Sequence, residues 1–185
     1  MSLLWEQNWT GVEPVGNQLR SFYPDRWVRF HSLPESKRYA DTEMEREEVL
    51  LRHRTLLAEL LNGAATETLV IIAQDWPLND LFSGWTKKLL PGCWPWKSYL
   101  DAEEDDGDTI ASYFWVAPAL GDSALDSLRG EVAQDQADIV ITDAEMAWLY
   151  HPYDGGADVI LPTTAARDQL STSHASWLPA HSLGL

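Results

Sequence analysis

A chain of 185 residues fits one domain with its own core, and 45% hydrophobic against 23% charged residues is a globular composition that excludes wholesale disorder. Thirteen Lys and Arg against 29 Asp and Glu leave a formal charge of −16, which argues against nucleic-acid binding, because phosphate affinity comes from dense cations. The lone Cys93 excludes an intrachain disulfide and a cysteine-based zinc cluster, and neither a membrane span nor a leader pattern is visible, so a cytoplasmic protein without membrane contact is expected.

In chain order, the segment up to Gln18 reads as a short helix and a loop, and Trp27-Val28-Arg29-Phe30-His31 alternates as a strand does. HSLPESKRYA (31–40) then reads as a loop around Pro34. Thr42 and Glu45 have capping-box spacing, and Val49, Leu50, His53, Leu56, Leu57, Leu60 and Leu61 recur at three- and four-residue intervals, so a helix runs to the stop signal Asn62-Gly63. Leu69 to Ala73 is a buried strand. The stretch 76–108, rich in Trp, Pro and Gly and ending in the acidic block DAEEDDGD, reads as an irregular insertion. Thr109–Ala117 is a strand, Ser123–Gln134 a helix, and Asp138–Thr142 and Ala147–Tyr150 are strands. HPYDGG (151–156) is a turn whose Gly155-Gly156 permits positive φ, Asp158–Leu161 a strand, and Thr163 or Thr164 caps a last helix to about His174.

Closely spaced C-terminal strands favour antiparallel pairing, because parallel neighbours need long crossovers. The expected fold is α+β: one domain over 1–185, a mixed, mostly antiparallel sheet of five or six strands, and helices packed mainly on one face. A doubly wound α/β sheet fits less well, since strand-helix alternation fails after Asp138.

The charge is uneven. Residues 98–185 hold only Arg129 and Arg167 against 16 acids, whereas Arg20, Arg26, Arg29, Lys37 and Arg38 face only Asp25 and Glu35 in their stretch. Such a basic stretch either pairs with the chain's own acids or receives an anionic ligand.

Familiar catalytic patterns are missing. Aligning Gly107 with position 6 of an EF-hand loop puts Ala102 and Tyr113 at positions 1 and 12, where charged oxygen donors are needed. His31, His53, His151, His174 and His181 form no HExxH, no nucleophile elbow or phosphate-binding loop occurs, and neither metal nor cofactor is expected. Cys93 reads as a small hydrophobe. Of the ten tryptophans, Trp27, Trp115, Trp148 and Trp177 fall in core elements, while Trp76, Trp85, Trp94 and Trp96 either fill a core or present a stacking surface. The candidate ligand-binding residues sit on two loops: Arg29, His31, Lys37, Arg38 and Tyr39 around HSLPESKRYA, and His151, Tyr153 and Asp154 in HPYDGG. Each loop also has a purely structural explanation, a Pro-restricted connection and an Asp-Gly hairpin.

WVRFHSLPESKRYADTEMEREEVLLRHRTLLAELL, WLYHPYDGGADVIL and WLPAHSLGL together resemble an uncharacterised family of bacterial proteins, a domain of unknown function, over about Tyr23 to Leu185. The resemblance implies a bacterial, cytoplasmic, single-domain protein and carries no activity, cofactor or catalytic residue.

Two functions follow as expectations. One is an acidic protein-binding module, of the immunity type that neutralises a basic partner, drawn by the acid-rich half. The other is an enzyme or small-ligand binder acting on an anionic compound, in which Arg29 and Arg38 hold the anion, His31 or His151 moves protons and Asp154 orients a histidine. The second requires the two loops to meet in one cleft. Sugar binding by the Trp-rich insertion is a third option.

Overall fold

The computed structural model describes residues 1–75, 84–102, 109–118 and 120–180. Two short helices, α1 (Ser2–Asn8) and α2 (Gly16–Phe22), precede strand β1 (Trp27–His31), and helix α3 (Glu43–Leu61) leads into β2 (Val70–Asp75). Helix α4 (Trp85–Leu89), strands β3 (Trp94–Ala102) and β4 (Thr109–Pro118) and helix α5 (Asp122–Val132) follow. Strands β5 (Asp138–Thr142), β6 (Leu149–Tyr153) and β7 (Gly156–Ile160), then helix α6 (Thr164–Ser173), complete the order.

The strands form one seven-stranded sheet in the order β1-β7-β6-β5-β2-β4-β3, every neighbouring pair antiparallel. The fold is α+β as expected, with corrections to the sheet and to the placing of the helices. The sheet has seven strands rather than five or six, and no parallel pair occurs among the described residues. The extra strand is β3, inside the stretch read as irregular. Pro95 cannot donate to a ladder, but β3 is the edge strand, and its register shifts by a bulge between Pro95 and Lys97, so a proline is tolerated there. Most of the acidic block, residues 103–108, lies outside the described residues.

Helices cover both faces, not mainly one. On one face α3, α5 and α6 bury Leu56, Leu57, Leu61, Leu125, Leu128, Val132 and Leu170 against Val28, Phe30, Ile71, Ile139, Ile141 and Val159. On the other, Trp5 and Trp9 from the α1 segment and Leu19 from α2 pack on Ile72, Phe114, Val140, Leu149 and Ile160. Trp5 and Trp9 are essentially fully buried, and their indole N–H groups donate to the Val12 and Met146 carbonyls at 2.7 and 2.9 Å. Of the tryptophans assigned to core elements, Trp148 is buried, while Trp27, Trp115 and Trp177 pack against the two cores from partly exposed positions. Sequence reading missed α2, whose Gly16-Asn17 start lacks a side-chain cap.

Helix α3 forms as its sequence dictates. The Thr42 hydroxyl accepts from the Glu45 amide at 3.2 Å, the Glu45 carboxylate accepts from the Thr42 amide at 3.1 Å, and Asn62 stops the helix in the left-handed region at φ 47. Arg52, one position off the predicted apolar stripe, is nevertheless buried. Its guanidinium donates to Glu48 (2.7 Å) and to the His31 carbonyl (3.0 Å) and lies 5.1 Å from the Trp177 ring centre, which ties α3 to the end of β1.

Candidate functional site

Pairing register sets up the site. Along β1, Val28 and Phe30 point into the larger core, so Trp27, Arg29 and His31 share the opposite face. Trp27 lies level with Ile160 and Leu149, Arg29 with Asp158 and His151, and His31 with Gly156 and Tyr153. Ile160 and Leu149 belong to the smaller core, with Val140 of β5. Two residues nearer one end the row turns polar at Arg29, Asp158 and His151, and on β5 the polar side chain on this face is Asp138, two residues beyond the Val140 that stands level with His151.

This polar end opens into a cleft of about 700 Å³ that holds Arg29, His31, Arg38, His151, Tyr153 and Asp154, six of the eight candidate residues. The two loops therefore meet. The Ser32 amide donates to the Gly155 carbonyl at 3.0 Å, and Arg38 forms a salt bridge with Asp154. Lys37 and Tyr39 lie elsewhere. Lys37 turns to Asp41 (2.9 Å) and Glu45 (2.5 Å) and fastens the loop to the start of α3. Tyr39 lies beyond Arg38 and lines a second hollow of about 420 Å³ beside Arg46 and Val49.

Asp158, 2% exposed, is the anchor. Arg29 grips it with two hydrogen bonds of 2.9 and 3.3 Å, Arg20 approaches to 3.5 Å, and the Tyr153 hydroxyl donates at 3.4 Å. The pairing outweighs burial and keeps the Arg29 guanidinium charged; burial, with Asp158 close by, pushes the Tyr153 phenol well above its ordinary range. His151 donates through Nε2 to the Asp138 carboxylate at 3.2 Å, while its buried Nδ1 has no hydrogen-bond partner among the described residues. The predicted orienting role of Asp154 is thus corrected: Asp154 serves Arg38, and Asp138 serves His151. Gly16 of α2 rests on the His151 ring so closely that a Cβ there would stand 2.3 Å from it.

The HSLPESKRYA loop contributes a further pair. Glu35 and Ser36 both take positive φ (57 and 58), which costs a non-glycine residue roughly 1 kcal/mol or more. This turn brings the Ser36 hydroxyl to 3.1 Å from His31 Nε2. Burial, then the Arg29 charge, lowers the His31 pKa against the raising effect of a hydrogen bond to the Gly155 carbonyl, with Arg52 lowering it further. The ring is therefore neutral at neutral pH.

The cleft is polarised along the strand order. Arg29 and Arg20 gather over β1 and β7, while Asp138 on β5 and Asp75 at the end of β2 line the other side with Trp85. Four contributors escaped sequence reading: Ser36, Asp75, Asp138 and Asp158. Only Asp158 left a signal, as a carboxylate inside the otherwise apolar GADVIL run.

Other readings fare less well. The basic stretch is largely paired with the chain's own acids, Arg26 instead lying over the Trp9 and Tyr23 rings. Trp96 packs on Trp5 at 5.6 Å, Trp85 lines the cleft and Trp94 stands exposed on the edge strand, so these three form no common stacking platform; Trp76 lies outside the described residues. Cys93 is half-buried against the larger core, and burial raises its pKa. Among the described residues no three His, Cys, Asp or Glu side chains converge as metal ligands, and no described helix is long and apolar enough to cross a membrane.

The fold and site define an α+β protein with a polar cleft at one end of an antiparallel sheet. The chain belongs to a family described as a domain of unknown function (DUF3885), whose model matches residues 15–182 and so spans both loops. No curated protein and no solved structure matches it.

Proposed function

We propose that the protein binds a small anionic compound in the strand-end cleft, with its acidic group at the arginine side and hydroxyl or amine groups towards Asp138 and Asp75. The observation that carries this reading is the meeting of the two loops, far apart in sequence, in one cavity of about 700 Å³, a size suited to a small molecule. Arg38 is the natural first contact: Asp154 takes its Nε, its side chain is 62% exposed, and its other N–H donors suit a carboxylate or phosphate. A bacterial, cytoplasmic setting belongs to the same proposal.

The test is a thermal-shift and calorimetric screen with inorganic phosphate, phosphate monoesters and mono- and dicarboxylates. A ligand at a hundred times its Kd stabilises by about 2.7 kcal/mol, several degrees for a chain of this length. Arg38→Ala should abolish the shift without unfolding the protein. A panel that leaves the melting temperature unmoved, or an Arg38→Ala variant that binds as tightly, refutes the reading.

A second reading keeps one support. The formal charge of −16, with exposed Asp122, Asp135 and Glu145, suits a basic protein partner. Arginines take up other carboxylates of the acid-rich half, among them Asp126, Asp154 and Asp158, which weakens the case for one continuous negative face. Capture of a basic protein at low salt, lost at high salt, would favour this reading.

A further inference from the structure

We propose that Ser36 and His31 form a nucleophile–base pair that hydrolyses carboxylic esters bearing an acidic group. This rests on the cleft being a small-anion site and adds a reaction to it. The hydroxyl lies 3.1 Å from Nε2, within reach for proton transfer, and both residues line the cleft with Arg29 and Arg38. With the ring proton on Nδ1, Nε2 is left to accept from the Ser36 hydroxyl. Consecutive positive φ values at Glu35 and Ser36 hold the hydroxyl on a strained turn.

The step balances without a co-reactant other than water. Ser36 Oγ attacks the ester carbonyl carbon as its proton passes to His31 Nε2. The tetrahedral intermediate collapses, the carbon–oxygen bond to the alcohol breaks, and the departing alkoxide takes that proton. Water then attacks the acyl-serine, gives its proton to His31, and the returning proton restores the Ser36 hydroxyl as the acid leaves. Arg29 and Arg38 supply the positive potential that favours an ester with a free carboxylate.

A fluorophosphonate probe tests the pair on the full chain. A single adduct mapping to Ser36 is expected, absent in Ser36→Ala and slowed at least a hundredfold in His31→Gln. The labelling rate should rise as His31 loses its proton, at a pH below its ordinary 6.5, and then stay level. The charged groups facing this ring are Arg29 on its own strand and Arg52 from α3, with the Gly155 carbonyl from the β6–β7 turn. Among p-nitrophenyl esters, the glutarate monoester should be turned over at least tenfold faster than the acetate, a preference lost in Arg38→Ala. An adduct elsewhere, no adduct, or one unaffected by His31→Gln overturns the pair. If Ser36→Ala still shows an anion-induced thermal shift, the binding reading stands on its own; if Ser36 is labelled but no anion binds, the binding reading fails instead.

Discussion

Beneath the cleft lies a buried chain of polar groups whose removal has a calculable effect. His53, on the inner side of α3, is hydrogen-bonded through Nε2 to the Ser32 hydroxyl at 3.0 Å and through Nδ1 to the Tyr150 hydroxyl, and all three residues are at most 2% exposed. Burial, reinforced by the Arg129 charge, drives the His53 pKa down to about 3 from 6.5. The unfolded chain therefore binds a proton below pH 6.5 that the folded chain refuses, so His53 makes stability fall on acidification. From the two pKa values, the loss attributable to this residue between pH 7 and pH 5 is about 2 kcal/mol. Urea unfolding of the wild type and His53→Leu at both pH values isolates it: the wild type should lose about 2 kcal/mol more than the variant. Tyr150→Phe keeps the histidine and strands one ring nitrogen in an apolar interior, so it should cost about 1–3 kcal/mol at pH 7 and retain the pH slope. Parallel pH dependences of wild type and His53→Leu, or a His53 ring found protonated at pH 5 by NMR, would refute the argument.

Three further outcomes follow from the geometry. A Cβ on Gly156 would meet the Phe30 carbonyl oxygen at 2.2 Å, backbone against backbone in paired strands, so Gly156→Ala should cost more than about 2 kcal/mol. Gly155→Ala, with its nearest atom at 3.6 Å, should stay within about 0.5 kcal/mol, and denaturant titration of the pair checks the contrast. Thr42→Ala removes the hydroxyl half of the capping box and should lower stability by about 1 kcal/mol in the same assay. Arg29→Ala leaves buried Asp158 only the 3.5 Å Arg20 contact and the 3.4 Å Tyr153 hydroxyl, and should cost about 3 kcal/mol, whereas Arg29→Met with Asp158→Leu should recover most of that stability while abolishing anion binding by calorimetry.

What was legible in the sequence was what local physics decides. The capping box and stop signal of α3, the alternation of β1, and the helices beginning near Asp122 and Thr164 depend on neighbours a few residues away, and they fall where the pattern puts them. Strand β3 was hidden because a proline is a breaker in general but harmless at a sheet edge, and edge position is a property of the whole sheet. HPYDGG shows the same limit. The Asp154-Gly155 hairpin is there, but neither Gly155 nor Gly156 takes a positive φ; the demand on Gly156 is the approach of the β1 backbone, which no local signal announces. At the site, residue types marked His31, Arg38 and His151, whereas the partnerships of His151 with Asp138 and of Arg29 with Asp158 depend on pairing register.

That register also bears on function. On β1, β7, β6 and β5 the same face changes from Trp27, Ile160, Leu149 and Val140 to Arg29, Asp158, His151 and Asp138, so the boundary between apolar and polar runs across four adjacent strands. A buried ion pair is a poor stabilising device: the desolvation of two charges commonly exceeds their attraction, and well-packed apolar residues of similar volume do as well or better. Apolar side chains are available to this face, since they fill it two positions away on every one of these strands. Stability therefore gives no reason for the polar row. A reason exists if the row forms the floor of a cleft whose occupant is itself charged, because fixed and mutually oriented charges need not reorganise when such a molecule arrives. The strained Glu35–Ser36 turn stands at the rim of the same cleft, so two features unfavourable to folding coincide at one place, as expected where a site rather than a core has shaped the residues.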